Sequence, residues 1–75
     1  DTDMQEARFT QNADPQALRR GDLVFWRGHV AMMLDADQII HANAHHMAVA
    51  IEPLNTAIAR IEAAGSGEPT SYRRP

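Results

Sequence analysis

Two histidines, His29 and His41, are the residues of this chain best suited to catalysis. A neutral imidazole can take a proton from a nucleophile when a second polar group on its other nitrogen holds it in the required tautomer. We expect His29 to act as the base and His41 to orient it. Such a pair can deprotonate a thiol, which attacks as the thiolate. The 75 residues contain no cysteine, so the pair would be the base half of a hydrolytic site without its nucleophile.

The two histidines lie on neighbouring predicted strands, and the loop between these strands decides whether the imidazoles meet. His29 begins the strand 29–34, and His41 lies within the strand 38–43. A three-residue loop, 35–37, would place both histidines on one face as diagonal neighbours, about 7–8 Å apart at the backbone. A two-residue loop would put them on opposite faces. We expect the three-residue loop or an equivalent bulge. The alternative is that both are ordinary histidines of a sheet.

The remaining strands follow from apolar patterns. Leu23–Trp26 contains four apolar residues in a row, with β-branched and aromatic types, which predicts a strand buried on both faces. Residues 47–52 alternate in polarity and predict a fourth strand. Thr70–Arg74 lies between two prolines, which favours a last strand at a sheet edge and predicts that Arg73 and Arg74 are solvated.

A C-terminal helix completes the pattern. Its predicted apolar face comprises Leu54, Ala57, Ile58 and Ile61 at positions i, i+3, i+4 and i+7. Pro53 suits the helix start, where its missing N–H is harmless, and glycines at 65 and 67 end the helix. We therefore predict an α+β fold, an antiparallel β-meander of four to five strands with a C-terminal helix. Residues 1–17 are polar and define little beyond a short helix over 3–8.

Composition excludes several classes of function. Seven arginines and no lysine stand against ten acidic residues, for a net charge of −3, which argues against nucleic acid as a partner. The longest apolar run is too short to cross a bilayer. Without cysteine there are neither disulfides nor thiolate metal sites. A zinc site on His41, His45 and His46 is an alternative, but i, i+4 spacing does not serve a strand. We expect no metal and no cofactor.

Three stretches, in this order and spacing, resemble the NlpC-type bacterial cell-wall cysteine peptidases. Gly21–Trp26 resembles the turn and first strand of that family, and His29–Met33 resembles its His-Val-Gly-Ile-Tyr strand. Ile40–Ala42 resembles the stretch in which apolar residues precede His-Ala. Glu52–Leu54 and Thr70–Arg74 are also similar to the family pattern. The resemblance extends over residues 18–75.

The resemblance implies the sheet half of a papain-like fold, with His29 as the catalytic base and His41 as the residue that orients it. The reaction it implies is hydrolysis of peptidoglycan peptides, typically between γ-D-glutamyl and a diamino acid. The family nucleophile is a cysteine in an Asp-Cys-Ser-Gly motif, several dozen residues before the histidine. We therefore expect residues 1–75 to be the C-terminal part of a longer hydrolase domain and to be inactive alone. The alternative is a nucleophile-free module that binds cell-wall peptides or a protein.

The partners expected from this resemblance are a peptidoglycan-derived peptide and the N-terminal half that carries the cysteine. Asn43 and His45 are candidates to line the substrate groove, because loops near the site carry binding. Trp26 is a third candidate for substrate contact, although core packing is the simpler explanation. Because the cysteine-bearing helix is missing, we also expect an exposed apolar sheet face and self-association through it. The location implied is the cell envelope, the exterior, or the cytoplasm during wall recycling.

Overall fold

The computed structural model describes residues 11–43 and 48–75. Its strands are β1 (Gln11–Asn12), β2 (Leu23–Trp26), β3 (His29–Met33), β4 (Gln38–Asn43), β5 (Ala48–Pro53) and β6 (Ser71–Arg74). Helix α1 spans Leu54–Ile61 and continues into a π-turn, Glu62–Ser66. The strands form one antiparallel sheet in the order β1-β6-β2-β3-β4-β5. The predicted α+β meander with a C-terminal helix is therefore confirmed, with six strands in place of four to five.

Strand β6 does not lie at the sheet edge, so that prediction was wrong. It pairs with β2 on one side and with the two-residue strand β1 on the other. Pro69 and Pro75 lie just outside β6, so neither removes a backbone N–H from the paired stretch. Strand β1 consists of two polar residues, which is too short for any alternation to be read. The helix predicted over 3–8 lies outside the described residues.

Strand β2 is buried on both faces, as its composition predicts. One face, with Val24 and Trp26, joins a core completed by inward residues of β3 and β4 and by α1. The buried members of that core are Ala13, Leu18, Val24, Trp26, Ala31, Met33, Ile39, Leu54, Ala57 and Ile61. The predicted apolar face of α1 is thus confirmed as core. None of the described helices has the length and hydropathy needed to cross a bilayer.

The opposite face of the sheet carries an exposed apolar patch, defined by Met32, Val49 and Ile51. These side chains are 47%, 67% and 56% exposed. Met32 lies on the face away from α1, because its chain neighbours Ala31 and Met33 are buried in the core. Ile40 pairs with both Met32 and Ile51, so Ile51 and Val49, two residues apart, share that face. The core that α1 shares with the sheet therefore leaves this patch uncovered by the described residues.

The exposed apolar patch lies on the face opposite His29 and His41, so a missing cysteine-bearing helix does not account for it, and self-association stays a prediction. We expect the weight-average mass in sedimentation velocity to rise with concentration, because pairing two patches removes apolar surface from water. Ile51→Lys should lower this dependence, whereas Thr56→Lys, at an exposed site on α1, should leave it unchanged. A monomer at every concentration up to about 1 mM, which corresponds to a contact weaker than about 4 kcal/mol, would show that the patch does not associate.

Candidate active site

The loop between β3 and β4 fixes the register on which the histidine pair depends. Asp35 Oδ1 accepts hydrogen bonds from the backbone N–H groups of Asp37 and Gln38, each at 2.8 Å. The backbone N–H of Leu34 donates to the carbonyl of Gln38 at 2.8 Å. This side-chain-stabilised turn closes a three-residue loop and places Met32 opposite Ile40. The predicted loop length is therefore confirmed, and the carboxylate of Asp35 stabilises the loop.

The two imidazoles meet on the inner face of the sheet. The ring centroids of His29 and His41 are 5.3 Å apart, with an interplanar angle of 87°. His29 is partly buried, and the His41 side chain is 8% exposed. Both alternate with core residues of their own strands, Ala31 on β3 and Ile39 on β4. The predicted meeting of the histidines is confirmed, whereas their chemical roles remain predictions.

A carboxylate from the next strand contacts the second histidine. Glu52 on β5 lies opposite Ile39 of β4, and its Oε2 is 2.6 Å from Nε2 of His41. The same oxygen accepts a hydrogen bond from Nη2 of Arg60 on α1, also at 2.6 Å. The Glu52 side chain is 18% exposed, whereas that of Arg60 is 54% exposed. The site is thus a row of contacts in which His29 touches His41, His41 touches Glu52, and Glu52 binds Arg60.

The sequence analysis did not predict that Glu52 and Arg60 belong to the site, although the strand pattern indicates Glu52. Glu52 lies two residues after Ala50 in an alternating strand, so the pattern puts a charged residue on the inward face. An inward charge is costly unless it is paired. The partner could not be found from spacing alone, because it depends on how α1 folds back over β5.

Trp26 packs against His29 and is almost fully buried. It lies directly opposite His29 across the β2–β3 pairing, with ring centroids 5.5 Å apart and tilted by 51°. The side chain is 1% exposed and belongs to the core. Its packing role is thereby explained, and a substrate contact remains a prediction. The backbone of Asn43 ends β4, but its side chain and all of His45 lie outside the described residues.

Three buried nitrogens of this aromatic group have no hydrogen-bond partner in the part of the chain that the structure describes. They are Nε1 of Trp26, Nε2 of His29 and Nδ1 of His41. A buried polar atom without a partner loses its hydration and gains nothing in return. Such atoms in a cluster of titratable residues mark a candidate functional site rather than ordinary packing.

Burial lowers the pKa of His29 below its usual value, and electrostatic interactions with His41 and Arg60 lower it further. Glu52 acts in the opposite direction but does not cancel these effects. His29 is therefore neutral at pH 7, the form in which an imidazole can accept a proton.

The titration of His29 gives a direct check of this environment. We expect its midpoint, followed by NMR of the ring protons, to lie below that of an unperturbed histidine at about 6.5. Since the folded pKa is lowered, protonation opposes folding, so the free energy of unfolding should fall as the pH drops below about 6.5. His29→Gln should reduce this fall. A midpoint at or above 6.5 would mean that the ring is hydrated rather than buried.

A second polar cluster joins β6 to the turn that precedes β2. Asp22 is 2% exposed, and its two carboxylate oxygens accept hydrogen bonds from Nε and Nη2 of Arg74 at 2.8 and 2.9 Å. Oδ2 also accepts from the backbone N–H of Arg19 at 2.9 Å. These hydrogen bonds, above all that from Arg74, lower the pKa of Asp22. Arg74 was predicted to be solvated at a sheet edge, and its pairing with a buried carboxylate corrects that prediction.

Metal binding finds no support within residues 11–43 and 48–75. No group of three or more histidine, cysteine, aspartate or glutamate side chains there could hold a metal ion. Two of the three ligands considered from the sequence, His45 and His46, lie outside the described residues. The zinc alternative therefore stays an untested prediction.

The α+β sheet thus brings two imidazoles and a carboxylate together on its inner face. Comparison with family models matches residues 1–66 to the NlpC/P60 family. This is most of the chain, so the chain belongs to the NlpC/P60 family, which indicates a cell-wall peptidase-like function. No match was found among curated proteins or solved structures.

Proposed function

We propose that this chain is the histidine-bearing half of a cysteine peptidase that cleaves peptidoglycan peptides at bonds between γ-D-glutamyl and a diamino acid. The observation that carries the proposal is the contact of His29 with His41 on the inner face of the sheet, with ring centroids 5.3 Å apart. Family membership supports the cell-wall peptidase class.

The nucleophile must come from outside these residues, because the 75 residues contain no cysteine. We propose that a cysteine on a preceding helix presents its thiol to His29. The neutral imidazole takes the thiol proton, and the thiolate attacks the carbonyl carbon of the γ-D-glutamyl group. His29 then gives this proton to the leaving amine as the C–N bond breaks.

The second half of the reaction returns the enzyme to its starting state. Neutral His29 takes a proton from water, whose oxygen attacks the thioester carbonyl. The C–S bond breaks, and the proton returns to the thiolate, so atoms and charge balance. His41, which contacts His29, keeps the ring oriented through both halves. Trp26 packs against the same ring and restricts its rotation.

The proposal is tested with the protein at its natural length and a synthetic L-Ala-γ-D-Glu-diaminopimelate peptide. We expect release of the diamino acid product, complete loss of hydrolysis after alkylation with iodoacetamide, and no hydrolysis by residues 1–75 alone. Hydrolysis that survives alkylation would refute a thiol mechanism. Binding of the peptide without hydrolysis, seen as shifts of the His29 and His41 resonances, would instead identify a binding module.

A further inference from the structure

We propose that Glu52 is a positioning residue that fixes the tautomers of His41 and His29, so that His29 presents the lone pair of Nδ1 to the nucleophile. The inference rests on the proposed function, because it assigns which nitrogen of the base reacts. Its structural part, the protonation pattern of the two rings, can be measured without any catalysis.

The first step is the contact between Glu52 and His41. Oε2 of Glu52 lies 2.6 Å from Nε2 of His41 and 2.6 Å from Nη2 of Arg60. An arginine is always charged and only donates hydrogen bonds, so its contact favours the ionised carboxylate. An ionised carboxylate only accepts. The hydrogen of neutral His41 must therefore reside on Nε2, and its Nδ1 carries the lone pair.

The second step is the pairing left to Nδ1 of His41. This atom is buried and has no partner among the described residues, and the same holds for Nε2 of His29. The two rings are in contact, with centroids 5.3 Å apart and an interplanar angle of 87°. The pairing open to these two atoms is a hydrogen bond from Nε2–H of His29 to Nδ1 of His41. Two buried atoms that are each costly alone are then satisfied together.

The third step is the consequence for the base. With its hydrogen on Nε2, neutral His29 has the lone pair on Nδ1. In this arrangement Glu52 fixes the orientation of His41, and His41 fixes that of the base, in the way a buried carboxylate holds a catalytic imidazole in the correct tautomer. The charged and titratable groups around His29 are His41, Glu52 and Arg60, and all three belong to this one chain of contacts.

Trp26 could compete by donating a hydrogen bond to Nε2 of His29, which would give the opposite tautomer. Nε1–H of Trp26 is also buried without a partner in the described part of the chain, and its ring lies 5.5 Å from that of His29. If Trp26 donated to Nε2 of His29, the hydrogen of His29 would move to Nδ1. That tautomer would leave no lone pair for a nucleophile on the Nδ1 side, so the two arrangements make opposite predictions.

The test is a long-range ¹H–¹⁵N NMR spectrum of residues 1–75 labelled with ¹⁵N at histidine, recorded on the alkaline side of the histidine titrations. We expect the Nε2–H pattern for both His29 and His41. We also expect the His41 Nε2 proton to exchange slowly with water because it is buried and hydrogen-bonded. An Nδ1–H pattern for either ring would overturn the proposal.

Variants separate positioning from mere packing. Glu52→Leu should speed exchange of the His41 Nε2 proton at least about tenfold, whereas Glu52→Gln, which keeps an acceptor oxygen, should retain most of the protection. Glu62→Leu replaces an exposed carboxylate in the π-turn and should change nothing. Unchanged exchange in Glu52→Leu would overturn the proposal. If that variant does not fold, the wild-type tautomers decide alone.

Kinetics of the natural-length protein complete the test. Glu52→Leu should lower kcat by about 10- to 100-fold, the loss known for partners that orient metal-bound imidazoles, with KM changed less than about twofold and with recovery in Glu52→Gln. A 10- to 100-fold rise in KM without loss of kcat would show that Glu52 does not position the base. If the wild-type protein hydrolyses no peptide, the proposed function fails, while the tautomer result still decides the role of Glu52 in the site.

Discussion

Replacing His29 with glutamine is expected to lower kcat for peptide hydrolysis by the natural-length protein by about 10²–10⁴-fold, the usual contribution of a general base. Glutamine keeps hydrogen-bonding capacity and similar volume but cannot accept a proton at pH 7. The effect should fall on kcat rather than KM, because the proton is transferred in the transition state. The measurement is steady-state release of the diamino acid product across a range of substrate concentrations.

The matched control for this substitution is Met32→Gln. Met32 lies on the same strand as His29 but on the opposite face, and it is 47% exposed. We expect its kcat to stay within about twofold of the wild type, a change of less than 0.5 kcal/mol in the barrier. If His29→Gln retains more than about a tenth of the wild-type kcat while remaining folded, His29 is not the base.

Replacing Asp22 with alanine should produce the largest loss of stability. The substitution removes a carboxylate that is 2% exposed and accepts two hydrogen bonds from Arg74 and one from the backbone of Arg19. Because Arg74 can regain part of its hydration, we expect a loss near the lower end of the range for breaking a buried pair, about 3 kcal/mol. Chains of this length unfold with about 4–11 kcal/mol, so Tm should fall by more than 10 °C.

The pH dependence of this loss follows from the lowered pKa of Asp22. Since the folded pKa is depressed, the stabilisation is complete above the unfolded value near 4 and is lost as the pH falls through the lower folded value. The difference in Tm between wild type and Asp22→Ala should therefore shrink between pH 5 and pH 2. Asp37→Ala, at an exposed loop position, is the control. Equal Tm values for Asp22→Ala and wild type at pH 7 would show that the pair does not stabilise the fold.

Local patterns were sufficient to predict most of the elements. The apolar run of β2 and the 3.6-residue periodicity of α1 each depend on burial of their own residues, so they can be read without knowing the partners. The three-residue loop before β4 was also predictable, because an odd loop is the way to place His29 and His41 on one face. Asp35 then provided the acceptor that stabilises this loop.

Contacts between distant parts of the chain were not predictable in the same way. Arg74 was read as a solvated arginine, but β6 places it against Asp22, 52 positions away in sequence. Glu52 and Arg60 belong to a strand and a helix whose relative placement follows from packing of the core. The position of β6 inside the sheet depends on the two-residue strand β1, which has no pattern of its own.

The central claim is that His29 takes the proton of a cysteine thiol, and the pH dependence of thiol alkylation tests it most directly. The natural-length protein is treated with iodoacetamide between pH 4 and pH 10, and the rate of modification of the proposed cysteine is followed by mass spectrometry. We predict substantial reaction well below pH 8.5, the ordinary thiol value, and a profile that moves up towards about 8.5 in His29→Gln. A profile that is the same in wild type and His29→Gln would contradict the claim.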